Sequence, residues 1–276
     1  MLSVLMTTEG TYPYSAGGVS TWCDALLRNT PDVRWTLLPL MMNPHVEQKF
    51  DPPSNVRKTI NVPLWGIEEP SEFSSDIPFG QLYDRKRRTS AEVIESEFLP
   101  VFRELLRVIC ADPADSPALG RVFVALEDYF RRHDYNETFK SRPVWLAFRK
   151  EVEEYARASM IRNARPGPEH QLPSIFDLTE CLRWLYHFLI VLTVRIPKVS
   201  VTHSTAAAFC GIPCITARVR NGTPMILTEH GVYLRERYLG YSRAGYSWPV
   251  KALMLSFLRL LCGAGYRAAD LITPGN

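Results

Sequence analysis

Two hydrophobic spacings alternate along the chain. Leu2–Met6, Val33–Leu40 and Lys58–Leu64 are short apolar runs of strand length. Between the first two, Val19, Trp22, Cys23, Leu26 and Leu27 fall at i, i+3, i+4, i+7 and i+8, one stripe of a 3.6-residue period. This predicts a helix from about Val19, ended by Asn29, Thr30 and Pro31. Strand, helix and strand in this order predict the opening of an α/β sheet over residues 1–64. The pattern then changes. Trp65–Thr89 is a turn-rich connection with Pro70, Pro78 and the basic run Arg85–Arg88. From Ser90 to Val194 the period is helical. Leu119, Val122, Phe123, Leu126 and Phe130 make one stripe; Trp145, Phe148, Val152 and Tyr155 make another. Pro100 should kink or split the first of these helices, since it has no N–H to donate. Asn163–Pro173 reads as a loop, and Ile175–Val194, apolar on nearly all faces, as a helix buried against the sheet. So much helix between two strands is an insertion, at about residues 85–195.

The strands return in Lys198–Glu236, the stretch that organises the rest. It reads as a strand at Lys198–Thr202, a helix from near Thr205, and a strand at Pro224–Thr228. Pro213 conflicts with that helix and leaves an extended Cys214–Val219 open. Histidines stand at both strand ends, His203 and His230. In a parallel sheet, ligands bind beyond the carboxyl ends of the strands, so one crevice would hold both. Tyr233–Tyr241 predicts a short helix, and Ser247 with Pro249 a helix start running to Leu261. Asp270–Thr273 reads as a strand. A parallel strand ordinarily feeds a covering helix, so a further segment is expected after it.

Composition narrows the class. At 276 residues, 46% hydrophobic and 22% charged, the chain can bury a sizeable core. A net charge of +3 gives no argument for nucleic acid. Cys23, Cys110, Cys181, Cys210, Cys214 and Cys262 form no Cys-x-x-Cys pair and sit mostly in apolar helical contexts; reduced thiols and a cytoplasmic protein are expected. Neither a secretory leader nor an apolar run of membrane-spanning length is visible. No His-x3-His pair exists and Cys210 with Cys214 has no companion pair, so no zinc site is expected.

The first strand feeds Ala16-Gly17-Gly18-Val19. Glycine lets a backbone approach a ligand closely, and a helix start presents amide donors and a positive dipole end, which suits a phosphate or diphosphate. A plain turn before a helix is the competing reading. His230 follows an apolar strand, precedes a glycine and adjoins Glu229. Its imidazole could donate to a sugar hydroxyl or a phosphate oxygen, or simply tie down a loop. His203 could equally belong to a capping turn. His45, His133, His170 and His187 have no partner motif, and His187 reads as a core helix residue. The run Arg85–Arg88 reads as a solvated loop, the alternative being attachment to an acidic surface or membrane.

Two motifs together resemble a known family. Thr8-Glu9-Gly10-Thr11-Tyr12-Pro13 with Gly17-Gly18-Val19-Ser20-Thr21-Trp22, and Thr228-Glu229-His230-Gly231-Val232-Tyr233-Leu234-Arg235-Glu236, are similar to the amino-terminal half of PelF-type glycosyltransferases of glycosyltransferase family 4. The resemblance spans essentially the whole chain and implies a Rossmann-like amino-terminal domain of the GT-B architecture. It implies a retaining hexosyltransferase that takes a nucleotide-diphosphate sugar, uridine-linked, for bacterial exopolysaccharide (Pel) synthesis without a metal or other cofactor. It places Gly17, Gly18 and Val19 at the donor phosphates, His230 at the transferred sugar as the catalytic residue, and His203 and Glu229 beside them. The implied partners are the nucleotide sugar, a growing saccharide acceptor and a membrane-bound polysaccharide synthase complex at the inner membrane. The family's nucleotide pocket, basic pair and spaced glutamates lie in a carboxy-terminal domain absent from this chain; residues 1–276 alone are therefore expected to be inactive. A non-catalytic ligand- or partner-binding Rossmann-like module is the alternative.

Overall fold

The computed structural model describes residues 2–67, 77–111, 116–162 and 171–275. Pro70, His170 and the stretch 163–170 of the expected loop lie outside the described residues. The chain packs as two units. Met1–Ile77, Ile190–Tyr233 and Leu261–Asn276 make a sheet unit; Pro78–Leu189 and Leu234–Leu260 make a helical unit. The helical excursion thus begins and ends several residues earlier than 85–195, and a second excursion follows it.

The sheet unit is α/β, with seven strands, all parallel: β1 (Ser3–Glu9), β2 (Arg34–Met41), β3 (Val56–Thr59), β4 (Val62–Pro63), β5 (Val201–Ser204), β6 (Met225–Glu229) and β7 (Leu271–Pro274). The order is β3-β2-β1-β5-β6-β7, with β4 also on β2. This is the Rossmann-like arrangement. The chain winds outward from β1 through β2 and β3, returns to the other side of β1 at β5, and winds outward again, so the switch point lies between β1 and β5. The expected third strand, Lys58–Leu64, is in fact two short strands. Pairing to β2 ends at Leu37–Thr59 and resumes at Leu40–Val62. Pro39, which has no N–H for a ladder, stands in that gap.

The sheet is covered by α1 (Gly18–Arg28), the helix Ile212–Asn221 and the last turns of the helix Trp248–Ala268. Under α1 the core is Val4, Met6, Tyr12, Cys23, Leu27, Trp35 and Leu37, with Val19, Trp22 and Leu26 packed partly buried against it. The helix expected from Thr205 starts only at Ile212, after a 3-10 turn at Phe209–Gly211. Pro213 is the reason. It falls in the helix's first turn, where its missing N–H has no intrahelical partner to lose, so it starts the helix rather than kinking it.

In the helical unit, Ala91–Val93 runs through a π turn at Ile94–Phe98 into Leu99–Cys110. Pro100 sits in that last helix's first turn, so the break expected from it is taken up by the π turn. Phe98 is fully buried and rings it: Phe102 stacks at 5.2 Å, Tyr129 lies at 5.1 Å, and Phe139 meets it edge-on at 5.6 Å. The helix Ile175–Leu189 is not apolar-buried all round, as the sequence suggested. Leu178, Cys181, Leu185, Phe188 and Leu189 form one buried stripe, while Ile175 and Phe176 are exposed; the chain then tightens into a 3-10 turn at Ile190–Thr193. Counting apolar residues overestimated burial because it ignored which arc they occupy.

Candidate functional site

At the switch point, β1 and β5 bring Thr7–Glu9 and His203–Thr205 side by side; Thr205 donates from both its N–H and its hydroxyl to the Thr7 carbonyl, each at 3.1 Å. One strand further, β6 ends on Glu229 and is followed by His230. The loop from Gly10 to Gly17 hangs over the same end of the sheet and is fixed from several sides. Thr8 Oγ1 donates to the Tyr12 carbonyl at 2.7 Å. The buried Tyr12 phenol donates to Asp24 Oδ1 at 3.2 Å, and Tyr14 donates to Asn61 Oδ1 at 2.8 Å. Burial first, then Asp24, pushes the Tyr12 phenol well above its ordinary range.

This anchored loop delivers Gly17 at φ 156° and ψ 171°, a conformation that L side chains rarely adopt. Gly17 is therefore the helix cap for a backbone reason. No side chain caps α1 and its first turn carries no acid, so the opening amides, from Gly18 on, are left for a ligand or water. A Cβ added at Gly17 or Gly18 would meet no other atom within 4 Å, and both residues are exposed. The space in front of the helix start is open.

Trp22, one turn into α1, connects this helix to both histidines. Its ring meets His230 edge-on at 4.7 Å between centroids and His203 at 5.6 Å. His203 is buried, and its Nε2 lies 2.7 Å from Thr228 Oγ1, which itself lies 2.7 Å from Thr273 Oγ1. Burial first, then the neighbouring His230, lowers the His203 imidazole to about 4. Burial also lowers His230. Both rings are therefore neutral near pH 7 and can serve a hydroxyl as donor or acceptor. They differ in one respect. His230 Nε2 is buried and has no hydrogen-bond partner among the described residues. Its other nitrogen is backed by Gly275, where a Cβ would stand 2.8 Å from Nδ1, so only glycine lets the chain pass there.

Glu229 faces inward. Its Oε2 accepts from the Ala207 N–H at 3.0 Å and its Oε1 from the Tyr233 N–H at 3.3 Å; Tyr266 also bonds to it, which helps burial raise that phenol to about 12. Glu9 does the same for β1, accepting from the Tyr233 hydroxyl at 2.7 Å and from the Cys210 N–H at 3.3 Å. Tyr233 thus ties the ends of β1 and β6 together.

Of the residues singled out from sequence, His203, His230 and Glu229 stand together at this edge, and Gly17, Gly18 and Val19 at the helix start that Trp22 joins to it. The sequence reading missed Trp22 as a site residue, because its place in the α1 stripe already accounted for it. It also missed Glu9 as a partner of Tyr233, since 224 residues separate them. The six cysteines are unpaired with one another, and no group of three or more histidine, cysteine, aspartate or glutamate side chains that could hold a metal occurs among the described residues.

Compared with known proteins, residues 2–276 match the family described as "Domain of unknown function (DUF3492)". No curated protein and no solved structure matches.

Proposed function

We propose, from the premise that the chain belongs to the DUF3492 family, that it is the acceptor-side half of a retaining glycosyltransferase of the PelF type, within glycosyltransferase family 4. The family occurs in glycosyltransferase-associated proteins, which supports sugar transfer as the reaction class. The donor is a nucleotide-diphosphate sugar, uridine-linked, and the product a bacterial exopolysaccharide. One observation carries this reading: an imidazole nitrogen without a partner, His230 Nε2, sits at the switch-point edge of a parallel sheet, one tryptophan ring from an uncapped and open helix start. The helix amides take the diphosphate, whose charge grows as the sugar–phosphate bond breaks. His230, neutral, accepts from or donates to a hydroxyl of the transferred sugar. Glu229 holds the loop that presents it. A second domain, facing this edge, supplies the nucleotide pocket.

A non-catalytic binding module is the second reading. It is favoured by the two rim carboxylates, Glu9 and Glu229, both of which are engaged by internal donors. Sugar transfer from uridine-diphosphate sugars by the full gene product separates the two. For the enzyme, His230→Ala lowers turnover by about a hundredfold or more, equivalent to roughly 2.7–4 kcal/mol of barrier, with the melting temperature unchanged. Donor binding without turnover in the wild type supports the module, and wild-type turnover in His230→Ala removes His230 from the mechanism.

A further inference from the structure

The helical unit opens with a helix that the sugar-transfer reading does not use. Phe79–Arg88 has ten residues and none of them is buried. Phe79 is 83% exposed and Tyr83, one turn on, 55% exposed; Leu82 lies on the same arc. The next turn of that arc is Lys86, and at 100° per residue Arg85 and Arg87 flank it on either side. The last turn is wholly basic, Arg85, Lys86, Arg87 and Arg88, against a single acid, Asp84. The Arg87 guanidinium stands over the Tyr83 ring at 5.9 Å. The carboxyl end of the helix is fastened by the residue that follows it. There Thr89 Oγ1 donates to the Arg85 carbonyl at 2.7 Å and accepts from the Asp134 N–H at 2.8 Å.

Basic residues in a last turn complement the helix dipole, and a solvated helix needs nothing more. That accounts for the charges but not for a phenyl ring and a phenol held out on one arc between them. Basic side chains flanking an exposed aromatic arc are the composition of a helix that lies in a membrane interface, rings at headgroup depth and long cationic stems reaching outward. An acidic protein partner would need a shaped counterpart. A helix with no buried side chain offers no pocket or ridge to shape it, whereas a fluid anionic surface needs none. No helix among the described residues is long and apolar enough to cross a membrane, so the attachment is to the surface.

We propose that Phe79–Arg88 docks the protein on a lipid surface rich in anionic headgroups. The inference stands independently of the sugar-transfer reading. The test is co-sedimentation of the whole chain with vesicles of phosphatidylcholine alone, or with a third of the lipid replaced by phosphatidylglycerol, at low and high salt. The expected result is binding to the anionic vesicles at least about ten times stronger than to the neutral ones, and weakened by salt. Arg87→Gln with Arg88→Gln should weaken it about fivefold per charge, from roughly 1 kcal/mol for each basic residue near such a surface. Phe79→Ser with Tyr83→Ser should weaken it by a comparable factor at unchanged charge. Neither pair removes a buried group, so thermal melts should match the wild type and confirm that folding is intact. Equal binding to neutral and anionic vesicles, wild-type binding by both variants, or binding only to an acidic protein and not to vesicles would overturn the proposal.

Discussion

Gly17 and Gly18 are adjacent and alike on paper, yet the fold asks different things of them. Gly17 holds a φ of 156°, so Gly17→Ala should cost about 1–3 kcal/mol in urea unfolding. Gly18 is the first residue of α1 with open space at its Cβ position, so Gly18→Ala should leave stability within about 1 kcal/mol, on the stabilising side. If Gly18 also faces a diphosphate, a larger side chain there, Gly18→Val, should weaken donor binding without lowering the melting temperature. His203 makes a pH-dependent prediction. Its imidazole is lowered to about 4 in the fold, against about 6.5 in the unfolded chain. Below about 6.5 the unfolded chain gains a proton that the fold refuses, so stability is full above that pH and declines as pH falls towards 4. The full decline is on the order of 3 kcal/mol. His230 adds to it in the same direction. Urea unfolding across this range should show His203→Gln with a shallower pH slope than the wild type; an identical slope would mean that other groups carry the titration.

Among the elements, those with strong periodicity were readable from sequence. The stripe Leu119–Phe130 is buried where the spacing put it; of the α1 stripe, Cys23 and Leu27 are buried, while Val19, Trp22 and Leu26 pack partly buried beside them. What could not be read was set by pairing or by arc. The break between β3 and β4 depends on what Pro39 does to the neighbouring strand, and the late start at Ile212 on a proline that serves as a helix opener. The exposed Phe176 and Phe79 show that an apolar residue does not announce its own burial. Within the helical unit, stability should concentrate in the ring cluster around Phe98. Phe98→Ala should cost about 3–5 kcal/mol by urea unfolding, because close neighbours on several sides cannot collapse into the space together. A loss below about 1 kcal/mol would mean that the cluster packs loosely.

For the whole molecule, the sheet topology decides where chemistry can occur. The two histidines were legible as candidates because strand ends in a parallel sheet face a common edge. Their coupling through Trp22, and the way Tyr233 joins Glu9 to Glu229, were not legible, since such contacts depend on tertiary approach rather than on spacing. The helix-start amides are exposed, so a diphosphate bound there is screened by water and salt. Affinity of residues 1–276 for a uridine-diphosphate sugar should therefore be on the order of millimolar, about −4 kcal/mol. The most direct test is a backbone amide NMR titration of this chain with such a sugar. The largest shifts should fall on Gly17, Gly18 and Val19, with smaller ones at His230 and the Trp22 indole, saturating in the millimolar range. Saturating shifts confined to other residues, with Gly17–Val19 unmoved, would contradict it.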